Sequence, residues 1–270
     1  MNENQISPPE THPLLELKNI SVVLGGKKIL DSVSLSLNPG ENLAIIGPNG
    51  SGKSTLIKTF TKEYHPLAGA ERGSLKIMGK EHWNVFELRT FLGIVSGSLQ
   101  QTYVRPIPVL DVLISGFFSS IGIYSNHKIT PGMQARALKT LDFLEISHLS
   151  DRLMSEISSG EARRVLIGRA LVHDPKVLVL DEPANSLDLR GMHSFRESVR
   201  KIAASGKSII LVTHNLEDVI PEIGRVVLLR DGKILKDGPK EEVLTGENLS
   251  DLFSLPVSVM EEGGYYRAWA

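Results

Sequence analysis

Residues 47–55 have the sequence Gly47-Pro48-Asn49-Gly50-Ser51-Gly52-Lys53-Ser54-Thr55, which fits the pattern of a phosphate-binding loop. The glycines let the backbone turn tightly enough for its N–H groups to converge on phosphate oxygens. Lys53 would supply a positive charge between the β- and γ-phosphates, and the hydroxyl of Ser54 could bind Mg²⁺. A glycine-rich turn can match by chance, but an apolar run at 43–46 precedes this loop and a helical run at 55–60 follows it. The context therefore predicts a nucleotide phosphate site.

Three short runs of the chain are apolar throughout, at 43–46, 177–180 and 209–212. Such runs, without alternation, are typical of central parallel strands that helices cover on both faces. They end in the glycine or polar residues Gly47, Asp181 and Thr213. Because ligands bind at the carboxyl ends of the strands in open α/β sheets, we expect these positions to line up at one edge.

Candidate catalytic groups follow the second and third runs. Asp181 is placed to organise Mg²⁺ through its water shell, and Glu182 can polarise a water for in-line attack on the γ-phosphorus. We expect their strand to lie next to the strand of the phosphate loop. His214 follows the third run, where it can reach the γ-phosphate. An acidic strand end or a lone histidine is by itself more often structural, so these assignments depend on the neighbouring loop.

Other patterns predict the units around this core. Alternating apolar residues at 15–17 and 29–37 indicate antiparallel strands with one wet side. The predicted buried face of the second strand holds Ile29, Val33, Leu35 and Leu37. Helical periodicity replaces strand patterns beyond residue 100, and the predicted buried stripe there is Ala137, Leu138, Leu141 and Leu144. We expect a disordered tail at 1–13, one domain at 14–245 with an inserted helical lobe at about 101–157, and a C-terminal extension at 246–270.

The composition excludes several classes of protein. Of 270 residues, 41% are hydrophobic and the net charge is −1, which argues against a basic surface built for nucleic acid. The chain has no cysteine, which excludes disulfides and thiolate metal sites. No stretch reaches the roughly 18 apolar residues that span a bilayer. We therefore expect neither a nucleic-acid partner nor a membrane span in this sequence.

One further motif indicates a family. Residues 157–164, Ile157-Ser158-Ser159-Gly160-Glu161-Ala162-Arg163-Arg164, align with the signature sequence of the ATP-binding cassette superfamily, usually Leu-Ser-Gly-Gly-Gln. The phosphate loop, the signature, the Asp-Glu strand end, the loop Asn185-Ser186-Leu187-Asp188 and His214 follow one another in the family's order. The chain resembles this family from Leu14 to about Leu244. Ser158 and Glu161 also have capping-box spacing, which alone would indicate only an ordinary capped helix.

The resemblance implies a fold, an activity and a set of site residues. The fold is α/β: a P-loop NTPase with a RecA-like parallel-sheet core, an antiparallel β subdomain and an inserted helical lobe. The activity is ATP hydrolysis with Mg²⁺, and the implied catalytic residues are Lys53, Glu182 and His214. Metal contacts are implied for Ser54, Asp181 and a junction glutamine, which we assign to Gln100 with Gln101 as its rival. Besides the phosphate loop, the implied ATP contacts are Leu24, Asp188, Ser158, Ser159, Gly160 and Glu161.

The resemblance also implies partners. Two copies would pack head to tail, so that the signature of one faces the phosphate loop of the other. An integral membrane transporter subunit would dock on the helical lobe, where we expect exposed aromatic rings at Phe117, Phe118 and Tyr124. The protein would then lie on the cytoplasmic face of the cell membrane. The alternative is a soluble single-cassette ATPase that serves as an assembly or scaffold factor.

Some positions depart from the family pattern. Ser159 and Glu161 replace Gly and Gln, which brings negative charge near a phosphate unless the carboxylate of Glu161 turns back to the cap. Leu24 stands where the family usually stacks an aromatic ring on adenine, which predicts loose base recognition. The segment at 111–124 and the signature are similar to a subgroup labelled as molybdate-type transport ATPases.

Overall fold

The computed structural model of the chain describes residues 12–67, 73–97, 103, 106–185 and 187–270. Within these residues the strands are β1 (Leu15–Leu24), β2 (Lys27–Leu37), β3 (Asn42–Ile46), β4 (Ser74–Ile77), β5 (Leu92–Ser96), β6 (Val177–Asp181), β7 (Ser208–Thr213), β8 (Arg225–Arg230), β9 (Lys233–Pro239), β10 (Ser258–Glu262) and β11 (Tyr265–Trp269). The helices of the same residues are α1 (Lys53–Phe60), α2 (Val85–Phe91), α3 (Val109–Ser115), α4 (Pro131–Phe143), α5 (Ser159–Leu171), α6 (Leu189–Ala204), α7 (Lys240–Val243) and α8 (Gly246–Phe253). The predicted tail at 1–13 lies almost wholly outside the described residues.

The central sheet has the strand order β5-β6-β7-β3-β8-β9 in the described part of the chain, and every neighbouring pair is parallel except β8 with β9. Alternate residues of a strand point to opposite faces. In β3, Leu43 and Ile45 join one hydrophobic core while Ala44 and Ile46 join the other. Both faces of the strand are therefore buried, which is why the run is apolar without alternation.

The two faces of this sheet are covered differently. Helices α3 to α6 pack over one face, whereas α1, α2 and an antiparallel sheet of order β2-β1-β4 pack over the other. The second face is therefore covered by helices and strands together, whereas the apolar runs predicted helices on both faces. The predicted α/β architecture, with a parallel core, an antiparallel subdomain and a helical lobe, is confirmed.

A β-bulge changes the predicted face of β2. Ile20 and Val22 of β1 pair with Val33 and Leu30, so two residues of β2, Asp31 and Ser32, lie opposite the single residue Ser21 of β1. Ser32 at the bulge has φ of 56°, which shifts the side-chain alternation. Leu30 is consequently fully buried, and the predicted Ile29 is only partly buried.

The lobe differs from its predicted surface at two places. In α4, Ala137 and Leu141 are buried but Leu138 is 48% exposed, since it lies about 100° around the helix from Ala137. Phe117 and Phe118 are partly buried rather than exposed, and Phe118 stacks on His127 with 4.0 Å between ring centroids. Of the three predicted rings, only Tyr124 is largely exposed, at 48%.

The last part of the chain packs beside the core. Strands β10 and β11 form a hairpin whose Tyr265 ring lies 5.1 Å from the guanidinium of Arg196 on α6. Arg267 lies 3.8 Å from Glu217, on the 3₁₀ turn Leu216–Asp218 that follows β7. The hairpin therefore contacts the segment that carries His214.

Candidate active site

The phosphate loop joins β3 to α1 at the carboxyl edge of the parallel sheet. Gly52 directly precedes α1 with φ of 107°, a backbone conformation that is strained for any residue with a side chain. A Cβ on Gly47 would lie 2.2 Å from the carbonyl oxygen of Leu229, so only glycine fits between the loop and β8. These two constraints shape the loop around the start of α1, where a helix dipole favours an anion.

The amine of Lys53 is the buried charge of this loop. Its side chain is 6% exposed, and Nζ donates hydrogen bonds to the carbonyl oxygens of Gly47 at 2.7 Å and Pro48 at 3.1 Å. Nζ also lies 3.5 Å from Oε1 of Glu182. The structure thus brings together two residues that are far apart in the sequence.

Glu182 bridges Lys53 to His214. Its Oε2 lies 2.6 Å from Nδ1 of His214 and accepts a hydrogen bond from Nδ2 of Asn185 at 3.2 Å. Glu182 has φ of 49°, which is uncommon outside glycine and occurs often at functional sites. The carboxylate is held between an amine and an imidazole, where it can orient a water.

The strand order corrects one prediction about this site. The strand of Asp181 was expected next to that of the phosphate loop, but β7 lies between β6 and β3. The parallel register places Ile46 opposite Thr213 and Asp181 opposite Val212. His214 therefore follows the middle strand, between the loop and the acidic pair.

Asp181 and Ser54 have the properties of cation contacts. Oδ1 of Asp181 is buried without a hydrogen-bond partner among the described residues, while the hydroxyl-bearing Ser54 is exposed at the start of α1. Burial, and next the charge of Glu182, raise the pKa of Asp181, and Lys53 opposes them. A buried, unpartnered carboxylate oxygen fits Mg²⁺, which usually keeps several waters and takes only one or two protein carboxylates besides phosphates. Gln100, its rival Gln101 and Ser186 lie outside the described residues.

The signature forms the predicted capping box. The Ser158 hydroxyl accepts a hydrogen bond from the N–H of Glu161 at 3.3 Å, and Oε2 of Glu161 accepts one from the N–H of Ser158 at 2.9 Å. These bonds to Ser158 lower the pKa of Glu161, so the carboxylate stays ionised and turned to the cap. Ser158 and Ser159 are exposed.

The start of α5 packs on the start of α6. A Cβ on Gly160 would lie 2.8 Å from Cα of Gly191, so the two helices approach through glycine. Asp188, predicted as an ATP contact, caps α6 by accepting a hydrogen bond from the N–H of Gly191 at 2.7 Å. Its described contact is therefore with its own helix.

Leu24 ends β1, as predicted for the base-contacting position. It is partly buried and packs against the core that also holds α1. Its neighbour Val23 is 37% exposed.

Sequence reasoning did not link the side chains of Thr213 and Asp218, which the structure joins by a hydrogen bond next to His214. Thr213 is fully buried and donates a hydrogen bond from Oγ1 to Oδ2 of Asp218 at 2.5 Å. Burial raises the pKa of Asp218 to about 6, against the lowering effects of the Thr213 hydrogen bond and of Arg196. An aspartate four residues after the candidate histidine was a visible signal, but its burial was not.

Known proteins are similar to this chain along most of its length. A family model described as ABC transporter matches residues 30–185. The chain is 32% identical over 254 residues to the Uncharacterized ABC transporter ATP-binding protein YlmA of Bacillus subtilis, covering 92% of this chain and 93% of that one. It is 32% identical over 259 residues to the Hemin import ATP-binding protein HmuV of Bradyrhizobium diazoefficiens, covering 93% and 92%.

A solved structure extends the similarity to three dimensions. It is cbiO1 from Clostridium perfringens, described as part of the ABC transporter complex cbiONQ, with a TM-score of 0.74 and 26% identity. The match covers 88% of this chain and 93% of that chain. Neither named relative carries a molybdate-type label, so the predicted subgroup gains no support from them. In the described part of the chain, every helix is too short or too polar to cross a bilayer.

Proposed function

The chain belongs to the ABC transporter family as an ATP-binding ATPase of a transport system, and from this premise we propose that two head-to-tail copies share each ATP and drive a separate integral membrane subunit. The observation that supports the hydrolysis in this proposal is the contact of Glu182 with both Lys53 and His214, at 3.5 Å and 2.6 Å. It supplies an amine for the phosphates, a carboxylate for the water and an imidazole beside that carboxylate. A soluble scaffold role is not favoured, because the named relatives belong to transport systems.

Each of these side chains has a distinct role in the proposed hydrolysis. Glu182 orients the attacking water and accepts its proton, while His214 holds the carboxylate of Glu182 and faces the γ-phosphate. Lys53 exchanges the carbonyl oxygens of Gly47 and Pro48 for phosphate oxygens. Mg²⁺ would be held by Ser54, Asp181 and Gln100 or Gln101, and when bound it would neutralise phosphate charge.

The start of α5 supports a shared site. The capping box uses the N–H groups of Ser158 and Glu161, so those of Ser159 and Gly160 remain for an anion. Ser158 and Ser159 of this helix end are exposed, Gly160 is buried against Gly191, and all three lie on a different element from the phosphate loop. The carboxylate of Glu161 is turned to its own cap, which removes the main objection to a phosphate at this position. A second copy would bring this end to the γ-phosphate.

The lobe is our proposed docking surface for the membrane subunit, which would hold the protein at the cytoplasmic face of the membrane. The stretch of the chain between helices α3 and α4 exposes three large apolar side chains, Ile121 at 42%, Tyr124 at 48% and Ile129 at 38%. Apolar side chains exposed together mark interaction sites more often than isolated ones do. In this proposal the membrane subunit determines the cargo. The molybdate-type subgroup stays a prediction, and one relative is named for hemin import instead.

We expect Tyr124→Glu to abolish capture of an integral membrane subunit by the tagged chain from detergent-solubilised membranes. A charge at the centre of an apolar contact must be desolvated without a partner, which opposes docking. Leu235→Glu, on β9 with 44% exposure, is the matched control and should retain the subunit. Basal ATPase activity should be unchanged in both variants. Full retention by Tyr124→Glu would move docking off the lobe, and a wild-type chain that captures no membrane protein would contradict the transport role.

We expect ATP and GTP to bind within about tenfold of each other, equivalent to about 1.4 kcal/mol. Without an aromatic ring at Leu24 the base loses stacking that is worth about 1–3 kcal/mol on aromatic platforms. Leu24→Tyr should therefore tighten ATP binding by about fivefold or more, which is the lower end of that range. Val23→Tyr adds the same ring at the neighbouring exposed position and should not. A hundredfold preference of the wild type for ATP in competition titrations would show that another side chain reads the base.

A further inference from the structure

The buried hydroxyl of Thr213 links the two chain neighbours of His214, Thr213 and Asn215, by a hydrogen bond. Oγ1 of Thr213 donates a hydrogen bond to Oδ2 of Asp218 at 2.5 Å and accepts one from the N–H of Asn215 at 3.0 Å. Thr213 is fully buried and Asp218 is 2% exposed. The hydroxyl thus connects both chain neighbours of His214 to the 3₁₀ turn that follows.

Further hydrogen bonds anchor the segment at 213–217 to its surroundings. The carbonyl oxygen of Thr213 accepts a hydrogen bond from the N–H of Gly47, at the start of the phosphate loop, at 3.4 Å. Oδ1 of Asn215 accepts one from the N–H of Glu217 at 3.1 Å, which caps the turn. Arg196, on the neighbouring helix α6, donates a hydrogen bond to the carbonyl oxygen of Glu217.

The buried carboxyl group of Asp218 destabilises the fold, which a purely structural link would not require. Its Oδ1 is buried without a hydrogen-bond partner among the described residues, and an unsatisfied buried acceptor destabilises a fold. Its pKa, raised to about 6 mainly by burial, reflects the same unfavourable surroundings. The charged groups that act on it are Arg196 of α6, His214 and Glu182. This buried acid is therefore close enough to His214 and Glu182 for their charges to act on it.

We propose that Thr213 and Asp218 are positioning residues that hold the imidazole of His214 against Glu182. The inference rests on the role proposed above for His214. If the hydroxyl bridge is removed, the chain at 213–215 loses its tie to the turn and the 2.6 Å contact of His214 with Glu182 is no longer enforced. Nucleotide binding, which depends on the phosphate loop, should be little affected.

The bridge can be tested with near-isosteric variants in the full-length protein. Thr213→Val removes the hydroxyl and should lower kcat by about 10- to 100-fold, the effect of misplacing a catalytic group by a fraction of an ångström to an ångström, with KM for ATP unchanged. Thr213→Ser keeps the hydroxyl and should retain kcat within about threefold, whereas Asp218→Leu removes the acceptor and should lower kcat as Thr213→Val does. Thermal unfolding of each variant reports any loss of folding.

The decisive measurement repeats Thr213→Val in a His214→Ala background. If the bridge acts through the imidazole, the double variant should turn over ATP as slowly as His214→Ala alone, because the two changes are not additive. A further drop of tenfold or more in the double variant, or a wild-type kcat for Thr213→Val, would overturn the positioning role. If His214→Ala itself turns over ATP at the wild-type rate, the proposed role of His214 fails instead, so the two failures are distinguishable.

Discussion

Glu182→Gln should bind ATP as the wild type does and hydrolyse it about a thousandfold more slowly, within the range usual for loss of a general base. The amide still accepts a hydrogen bond from Asn185 and keeps the volume of the side chain, so the site retains its shape. What it loses is the ability to take a proton from the attacking water. With hydrolysis blocked, a closed dimer should accumulate in the presence of ATP and Mg²⁺.

Phosphate release, titration of a fluorescent nucleotide and size-exclusion chromatography measure these three effects. Glu197→Gln, the same change at an exposed residue of α6, is the matched control and should behave as the wild type. Lys53→Ala should fail differently, by losing nucleotide affinity, because the amine neutralises phosphates before and during the reaction alike. A Glu182→Gln chain that remains monomeric and turns over ATP normally would exclude this carboxylate as the base.

Mixing two inactive variants should restore hydrolysis if the sites are shared between copies. Lys53→Ala destroys the phosphate loop, and Ser158→Arg blocks the exposed start of α5. In a mixed dimer, the intact loop of the second variant faces the intact signature of the first. With random pairing of equal amounts, half of the dimers are mixed and each has one working site of two, so about a quarter of the wild-type activity is expected.

The second half of this prediction concerns concentration. A lone copy leaves the γ-phosphate without the second set of N–H donors that would stabilise charge in the transition state. Wild-type specific activity should therefore rise steeply with protein concentration when the membrane subunit is absent. Circular dichroism controls for folding of Ser158→Arg, since loss of an N-cap destabilises a helix by about 1 kcal/mol. A mixture that stays inactive although both folded variants dimerise, or specific activity that is flat on dilution below the dissociation constant of the dimer, would contradict the shared-site mechanism.

Features carried by residues close together in the sequence were predictable. The phosphate loop, its following helix and the capping box of Ser158 and Glu161 depend on turns and hydrogen bonds that span only a few residues. The apolar runs of β3, β6 and β7 likewise predicted a buried parallel sheet, because a strand covered on both faces must be apolar at every position. The residues at the ends of these strands follow from the same pattern.

Features that depend on pairing between distant segments were not predictable. β3, β6 and β7 are equally apolar, so nothing local indicates that β7 lies between the other two. Ser32 carries no signal for the bulge that buries Leu30, since the bulge follows from the register of β2 against β1. Leu138 fits a helical stripe but remains exposed, because the packing partners of α4 select a narrower face.

The active site combines both kinds of feature. Lys53, Glu182 and His214 could each be named from the sequence, because each follows a recognisable strand or lies in a recognisable loop. Their contacts arise only because the strand order brings the ends of β3, β6 and β7 together at one edge of the sheet. The hydrogen bond from Thr213 to Asp218 likewise arises only because the turn after β7 folds back on the buried end of that strand. Local patterns specify which chemical groups are present, whereas long-range packing sets the distances between them, because side chains of remote segments meet only in the folded core.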